Sequence, residues 1–355
     1  MKLLLSDLDT VECAYFLRPT AQCKLDFSAL GLEKERLRQS KKREPTKIEL
    51  GGKEFLLQPY GSGSGYPFVI ENADMTIEFG EFNDPSFFVT FRSIALCHKG
   101  ASTLHQQFMV WAQSLGLQPY RSESLSRVDF TFDYYLQKID FDEDSFVSLS
   151  AADIQYRKNR QIQTFNLGTG DLVLRVYDKV AEINEQSGKH WFFPLWDGIE
   201  ENVWRIEWQV RKDKLRQFAI RTFDDLDAGC GDLLRYLCQS HTTLRVPSAD
   251  TNRSRWPLHP LWSDLQAHID TLNVQGVLRS FDQKELLQAR LMRMAVSVQG
   301  YLKAIAATKC VMHGKEMVSN KEALLHLQGL LAHVHDPLTW KTDVQKRIDV
   351  IRLGK

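Results

Sequence analysis

The stretch SRVDFTFDYYL, residues 126–136, alternates polar and apolar side chains along most of its length. Successive residues of a β-strand point to opposite faces of the sheet, so this alternation predicts a strand with one buried and one polar face. The polar face carries Arg127, Asp129, Thr131 and Asp133, and the apolar face carries Val128, Phe130, Phe132 and Tyr134. Two carboxylates therefore lie on the same face of one predicted strand.

Two later segments show the same alternation. Residues 163–179, QTFNLGTGDLVLRVYDK, predict a β-hairpin that turns at Gly168 to Gly170, and residues 203–212, VWRIEWQVRK, predict another strand. The polar faces of these two strands hold Arg175, Tyr177 and Lys179, then Arg205, Glu207 and Gln209. If the three strands are neighbours, carboxylates, cations and a phenol gather on one face of a sheet, while the other face packs on helices.

The rest of the N-terminal two thirds is also rich in strands. Aromatic and β-branched residues alternate in KEFLLQPY (53–60), ADMTIEFGEF (73–82) and SFFVTFRSI (86–94), and helical spacing predicts a helix over about 101–115. An acidic helix or loop is expected up to about residue 157. Strands cluster and helices intervene irregularly, which predicts an α+β fold with a mostly antiparallel central sheet and flanking helices.

Changes in composition predict three regions. Residues 1–45 form an N-terminal segment that ends in a basic arm, EKERLRQSKKRE (33–44), and residues 46–240 form the strand-rich domain. A polar, proline-containing stretch from 241 opens a helical C-terminal domain, 241–355. Its first long helix carries an apolar stripe that predicts a bundle core, and SNKE at 319–322 is a capping box. The stripe consists of Leu287, Leu291, Met294, Val298, Tyr301 and Ile305.

The composition limits the class of protein. The 355 residues include 45 basic and 45 acidic residues, so no overall positive charge points to nucleic acid and any such role depends on local clusters. Six scattered cysteines without a C-x-x-C pair fit a reducing cytoplasm and exclude a zinc ribbon. No apolar run is long enough for a membrane span, and the N-terminal run is too short for a signal peptide. We expect a cytoplasmic protein without membrane contacts.

Two weaker patterns offer other chemistries. LLLSDLDTV at the N-terminus, with Asp7 and Asp9, is similar to the nucleophile motif of haloacid-dehalogenase-like phosphatases, which requires a parallel, doubly wound sheet. His326, His333 and His335 lie in a predicted surface helix and lack the spacing of one metal-binding face. Neither pattern agrees with the predicted antiparallel sheet as well as the three strands do.

The polar faces of the three strands predict a site for phosphodiester chemistry. Carboxylates at close range repel each other unless a cation lies between them, and oxygen ligands suit Mg²⁺ or Mn²⁺. A metal held by Asp129 and Glu207 would polarise a phosphate, and Arg175 and Lys179 would favour the phenolate form of Tyr177. The alternative to such a site is that each strand is half-buried and its polar face carries only solvated ion pairs.

The segments SRVDFTFDY, NLGTGDLVLRVYDKVAE and VWRIEWQVRKDKL resemble, in this order and spacing, the motifs of the replication initiation factor (Rep_trans) family of plasmid rolling-circle initiators. The resemblance covers about residues 50–220. It implies an HUH-like nucleotidyltransferase topology and a metal-dependent nickase and strand transferase. The residues that match the motifs are the nucleophile Tyr177, the cations Arg175, Lys179 and Arg205, and the Mg²⁺ or Mn²⁺ ligands Asp129, Glu207 and, as a further candidate, Asp133.

The resemblance implies that the partner is origin DNA, single-stranded or cruciform at the nick. A host helicase and a second copy of the chain are further expected partners, and Tyr156 beside Arg157 could stack a base. Relaxases of integrative conjugative elements share the motifs and are an alternative. The family's arginine- and serine-containing stretch before the tyrosine reads GTGDLVL here. A DNA-binding regulator that has lost catalysis is therefore a second alternative.

Overall fold

The computed structural model describes residues 1–150, 152–158, 161–272 and 283–352, and it has an α+β fold. The described residues divide into two compact units, residues 1–272 and residues 283–352. The first unit contains all described strands and the three segments from which the sequence analysis began. The second unit is entirely helical.

A large antiparallel sheet organises the first unit. Its eleven strands are ordered β11-β12-β13-β14-β9-β1-β7-β6-β5-β4-β3, and β2 with β8 and β10 with β15 form two small ribbons. The strands are β1 (Lys2–Tyr15), β2 (Leu17–Pro19), β3 (Thr46–Leu50), β4 (Lys53–Leu57), β5 (Phe68–Glu71), β6 (Met75–Phe79), β7 (Phe87–Arg92), β8 (Leu117–Pro119), β9 (Ser124–Tyr135), β10 (Phe146–Ser148), β11 (Asp153–Lys158), β12 (Gln161–Leu167), β13 (Leu172–Asp178), β14 (Val203–Arg211) and β15 (Thr242–Leu244).

In the first unit, helices lie between the strands or follow the last of them. The second unit consists of helices. They are α1 (Phe27–Gln39), α2 (Ser93–Lys99), α3 (Ala101–Ser114), α4 (Lys179–Glu182), α5 (Phe192–Leu195), α6 (Lys212–Gln217), α7 (Phe223–Arg235), α8 (Pro260–Thr271), α9 (Gln283–His313), α10 (Asn320–Val334) and α11 (Pro337–Arg352). Two π-helical segments (Ile183–Ser187, Tyr236–His241) and two 3₁₀ turns (Glu143–Ser145, Arg253–Arg255) complete the described helices. None of the described helices is long and apolar enough to cross a membrane.

The apolar face of the sheet is the main core. The residues predicted for this face, such as Phe132 on β9 and Trp208 on β14, are buried. Trp262 of α8 packs against Trp208 with ring centroids 5.7 Å apart, and Phe223 of α7 packs against Phe91 of β7 at 6.0 Å. Because one face of each strand is apolar, covering helices remove that face from water.

The structure confirms the predicted α+β fold with an antiparallel central sheet, and it confirms the hairpin that contains Gly168. It differs from the sequence-based prediction at three segments, residues 2–15, residues 153–158 and the segment that begins at residue 241. Lys2–Tyr15 is a strand inside the sheet, between β9 and β7, and not part of a separate N-terminal segment. Asp153–Lys158 is strand β11, where a helix or loop was expected.

The linker expected at residue 241 belongs to the first unit. Thr242–Leu244 pairs with Phe146–Ser148, and α8 buries Leu261 and Trp262 completely or nearly so. These apolar residues attach the segment to the sheet. The two units therefore separate after residue 272 and not at 241.

The second unit has a small core. Leu302, Val318 and Ala323 are its buried apolar residues among those described, and Ser319 and Glu322 form the predicted capping box of α10. The apolar stripe predicted as the core of α9 is mostly exposed instead, with Tyr301 71% and Leu291 65% accessible and Ile305 half-buried. Helical spacing alone identified the stripe but did not show which face another helix would cover.

Candidate active site

The polar faces of β9, β14 and β13 form one continuous surface because their register aligns the predicted residues. Asp133 lies opposite Arg205, and Arg205 lies opposite Tyr177. In the next row Thr131 lies opposite Glu207, which lies opposite Arg175. Directly opposed residues of antiparallel strands share a face, so the sheet brings together six of the seven site residues predicted from sequence. These are Asp129, Asp133, Arg175, Tyr177, Arg205 and Glu207.

Tyr177 is held by a carboxylate. Its hydroxyl donates a hydrogen bond to Oε2 of Glu207 at 2.8 Å, and Arg175 donates to Oε1 of the same carboxylate at 2.9 Å. Burial, reinforced by the charge of Glu207, raises the pKa of Tyr177 well above 10. The expectation that nearby cations favour the phenolate is therefore wrong for this arrangement. The resting side chain is a neutral phenol whose proton points at a base.

Arg205 is enclosed by acids. It is fully buried and donates to both oxygens of Asp133, at 2.6 and 2.8 Å, and to Oδ1 of Asp9 at 2.7 Å. Trp196 donates its indole N–H to Asp133 at 3.0 Å. A guanidinium without access to solvent cannot touch DNA, so the geometry makes Arg205 a positioning residue and not the catalytic cation predicted from sequence.

Lys179 is not on the strand. β13 ends at Asp178, whose side chain accepts a hydrogen bond from Ala181 and so starts α4 at Lys179. The Lys179 ammonium nevertheless lies 5.6 Å from the centroid of the Tyr177 ring, and it pairs with Glu182 at 2.6 Å. Burial, together with repulsion from Arg205, lowers the pKa of Lys179.

A cover segment, residues 183–199, lies over the Arg205 end of this surface. Phe192 contacts Arg205, with the guanidinium carbon 4.5 Å from the ring centroid, and Lys189 pairs with Asp9 at 3.3 Å. The segment begins with the π-helix Ile183–Ser187, a feature that often occurs near functional sites. The sequence patterns of this segment indicated no role in the site.

Asp9 is the site residue that the three-strand analysis missed. The pairing of β1 with β9 shifts register between Leu8 and Thr10, so Asp9 lies in a bulge and reaches Arg205. Burial opposes its ionisation, but Lys189 and Arg205 hold the pKa of Asp9 below its usual range. The D-x-D pattern marked this residue but suggested a phosphatase. That interpretation is wrong because β1 has antiparallel neighbours on both sides.

Asp129 lies at the other end of the site. Arg127 binds both of its oxygens, at 2.8 and 2.5 Å. Burial raises the pKa of Asp129 to about 6, and repulsion from Glu207 and Asp9 adds to the shift that Arg127 opposes.

The residues predicted to hold a metal are already engaged. Both oxygens of Asp129, Asp133 and Glu207 accept hydrogen bonds from arginine, tryptophan or tyrosine side chains. In the part of the chain that the structure describes, no three His, Cys, Asp or Glu residues are grouped to hold a metal ion. The donor set in this arrangement does not fit Mg²⁺ or Mn²⁺, and their binding stays a prediction.

An open cleft of about 380 Å³ gives access to Tyr177. Its lining includes four cations and four acids, so it is a mixed polar surface and not a positive channel. The cations are Arg127, Arg175, Lys179 and Lys189, and the acids are Asp9, Asp129, Glu182 and Glu207. Side chains of Arg175 and Lys189 are 37% and 34% exposed and are the cations most available to an incoming anion.

No protein-family model and no curated protein matches this sequence. Among solved structures, the chain is similar to that of the rolling circle replication initiator protein from Geobacillus stearothermophilus. The TM-score is 0.43 and the sequence identity 17%, over 76% of this chain and 98% of that chain. A similarity of this size carries no argument about the function of this chain.

Proposed function

We propose that the chain is a DNA nickase and strand transferase that uses Tyr177 as its nucleophile and initiates rolling-circle replication. The observation that carries the proposal is the hydrogen bond from the Tyr177 hydroxyl to Glu207, on the lining of an open cleft that also contains Arg175 and Lys179. A phenol needs a base to become a nucleophile at neutral pH, and this one already has a carboxylate in place.

The proposed cutting step uses the groups in this cleft. The phenol oxygen of Tyr177 bonds to phosphorus, and its proton passes to Oε2 of Glu207. The bond from phosphorus to the 3′ oxygen breaks with its electron pair on that oxygen, which takes a proton from water, and the protonated Glu207 returns its proton to the hydroxide that remains. The products are a 5′-phosphotyrosine link and a 3′ hydroxyl, and rejoining reverses each transfer.

The cations would stabilise the phosphate. Arg175 and Lys189 are partly exposed on the lining of the cleft, so they can approach the phosphate on which negative charge grows. The buried Lys179 instead supports the Tyr177 ring. Asp9 and Asp133 hold Arg205 in place, and Arg205 lies opposite Tyr177 on the neighbouring strand. No step of this proposal passes through a metal ion, because the carboxylates are engaged by the protein's own donors.

The decisive experiment is a search for a covalent adduct. The purified protein is mixed with supercoiled plasmid that carries its own origin, with and without Mn²⁺, and the products are separated under denaturing conditions. We expect relaxed circles and protein joined to a 5′ end, with neither formed by Tyr177→Phe. Tyr134→Phe is the matched control, because it removes the hydrogen bond of another mostly buried hydroxyl, to Asp264, on the opposite face of the sheet.

A second variant tests the base. Glu207→Gln keeps the shape of the side chain but cannot take up the phenol proton, so we expect a cutting rate at least about a hundredfold lower with the same fold. Equal rates for Glu207→Gln and the wild type would remove Glu207 from the mechanism.

The raised pKa of Tyr177 also favours the second candidate, a DNA-binding regulator without catalysis, since a resting phenol is a weak nucleophile. A regulator would retard origin DNA in a gel and form no adduct under any condition. A relaxase of a conjugative element would form the same adduct on a transfer origin, so the cut sequence separates these two uses.

A further inference from the structure

An exposed aromatic side chain lies in line with the proposed nucleophile. Tyr156 on β11 is 57% exposed, whereas Tyr177 is 8% exposed. Tyr156 lies opposite Thr164 of β12, and Thr164 lies opposite Tyr177 of β13. Directly opposed residues of antiparallel strands point to the same face, so the two tyrosines share one face of the sheet.

The distance between them suits a polynucleotide. Neighbouring strands lie about 4.8 Å apart, so two strand spacings place Tyr156 roughly 10 Å from Tyr177 along the sheet. That is a span of one to two nucleotides of an extended single strand. Thr164, between the two tyrosines, lines the cleft, so the surface from the cleft to Tyr156 is continuous.

The surroundings of Tyr156 suit a base and not a protein core. β11 is at the edge of the sheet in the described part of the chain, so the ring of Tyr156 lies at the open side of this face. An exposed aromatic ring at the edge of a sheet, in line with a cleft that contains cations, is a combination by which proteins bind single strands with little sequence preference.

We propose that Tyr156 stacks on one base of the bound single strand, one or two nucleotides from the phosphate at Tyr177. This inference rests on the proposed function, because it places the scissile phosphate at Tyr177. Stacking requires only an aromatic face on each partner, so Tyr156 holds the strand in position without reading its sequence.

The first test measures binding without cutting. The probe is a fluorescein-labelled oligothymidylate of roughly twenty nucleotides, and anisotropy gives its dissociation constant. We expect Tyr156→Ala to weaken binding about tenfold and Tyr156→Trp to restore it. Tyr60→Ala is the matched control, because Tyr60 is equally exposed, at 58%, but follows β4 in the other half of the sheet. Equal affinities for Tyr156→Ala and the wild type would overturn the proposal.

The second test locates the stacked base. Single abasic sites are placed in turn along the strand mapped by the adduct experiment. The wild type should lose affinity at one position near the cut, and Tyr156→Ala should be insensitive at that same position. In cutting assays the variant should raise KM and leave kcat unchanged. If no adduct forms at all, the proposed nickase fails, whereas a Tyr156-dependent affinity for oligothymidylate would still stand.

Discussion

The two halves of the central sheet show the same alternation of residues but bury their charges to different extents. The distal half, β3 to β7, has ion pairs such as Arg92–Glu71, whose side chains are 23% and 13% exposed. The site half, β9 with β11 to β14 and β1, has the Arg205–Asp133 pair at 0% and 1%. The cover segment contributes to this difference, because Trp196 and Phe192 contact Asp133 and Arg205 of the site half. Whether a polar strand face is exposed to water or forms a buried network of ion pairs therefore depends on the segment that covers it.

The largest expected effect comes from breaking the buried pair. Arg205→Ala leaves the Asp133 carboxylate buried without its guanidinium, and we expect the free energy of unfolding to fall by about 3–5 kcal/mol. Arg92→Ala, the matched change in the distal half, should cost about 1 kcal/mol or less because water can replace the partner. Urea unfolding followed by tryptophan fluorescence measures both. Similar losses for the two variants would show that the halves do not differ as described.

The next effect tests the cover segment itself. Trp196→Phe removes one donor to the buried Asp133, and a hydrogen bond to a charged group contributes about 2 kcal/mol. The control is Trp340→Phe, at an exposed position in the second unit, for which we expect no measurable change in the same urea titration. A Trp196→Phe variant as stable as that control would mean that the cover contributes nothing to the site half.

A third effect depends on pH and concerns β1, the strand at which the halves meet. Burial raises the pKa of Asp7 to about 6, with the Cys97 thiol partly opposing the shift. Because the folded pKa lies above the ordinary 3.8, the stability that Asp7 provides is complete below about pH 3.8 and is lost as pH rises through 6. Asp7→Asn never ionises, so it should be more stable than the wild type at pH 8, by about 3 kcal/mol.

That gain should shrink steadily as the pH falls from 6 to 4, where both proteins carry an uncharged side chain. Unfolding free energies at several pH values measure it, and Asp232→Asn, at a largely exposed carboxylate, should show no such trend. A gain that does not vary with pH would contradict an ionised, buried Asp7.

The smallest effect is expected at the far edge of the distal half. Glu54→Gln removes the charge that pairs with Lys47 between β3 and β4, where the side chains are 52% and 35% exposed. We expect a change below about 0.5 kcal/mol in the urea titration, and less in 1 M salt. A loss above 1 kcal/mol would make this pair comparable to the buried ones.

Sequence patterns predicted the parts of this protein that local spacing determines. Strict alternation of polar and apolar residues located strands β9, β13 and β14. It also predicted the sheet face of the site residues on these strands, such as Asp129 and Glu207. The glycine-containing turn located the hairpin. Spacing could not locate Asp9, because a bulge breaks the alternation of β1, and it extended β13 through Lys179, where Asp178 caps a helix instead. The raised pKa of Tyr177 depends on what covers it, which no single strand encodes.

The position of β1 has a consequence for how the molecule folds. Thr131 of β9 lies beside Asp7 of β1 although 124 positions separate them along the chain. β1 pairs on its other side with β7, so the sheet cannot close around it until distant segments have been brought together. Such a high contact order implies slow folding, with chain-closure entropy lost before the central ladders form. The cleft around Tyr177 should then be among the last features to assemble.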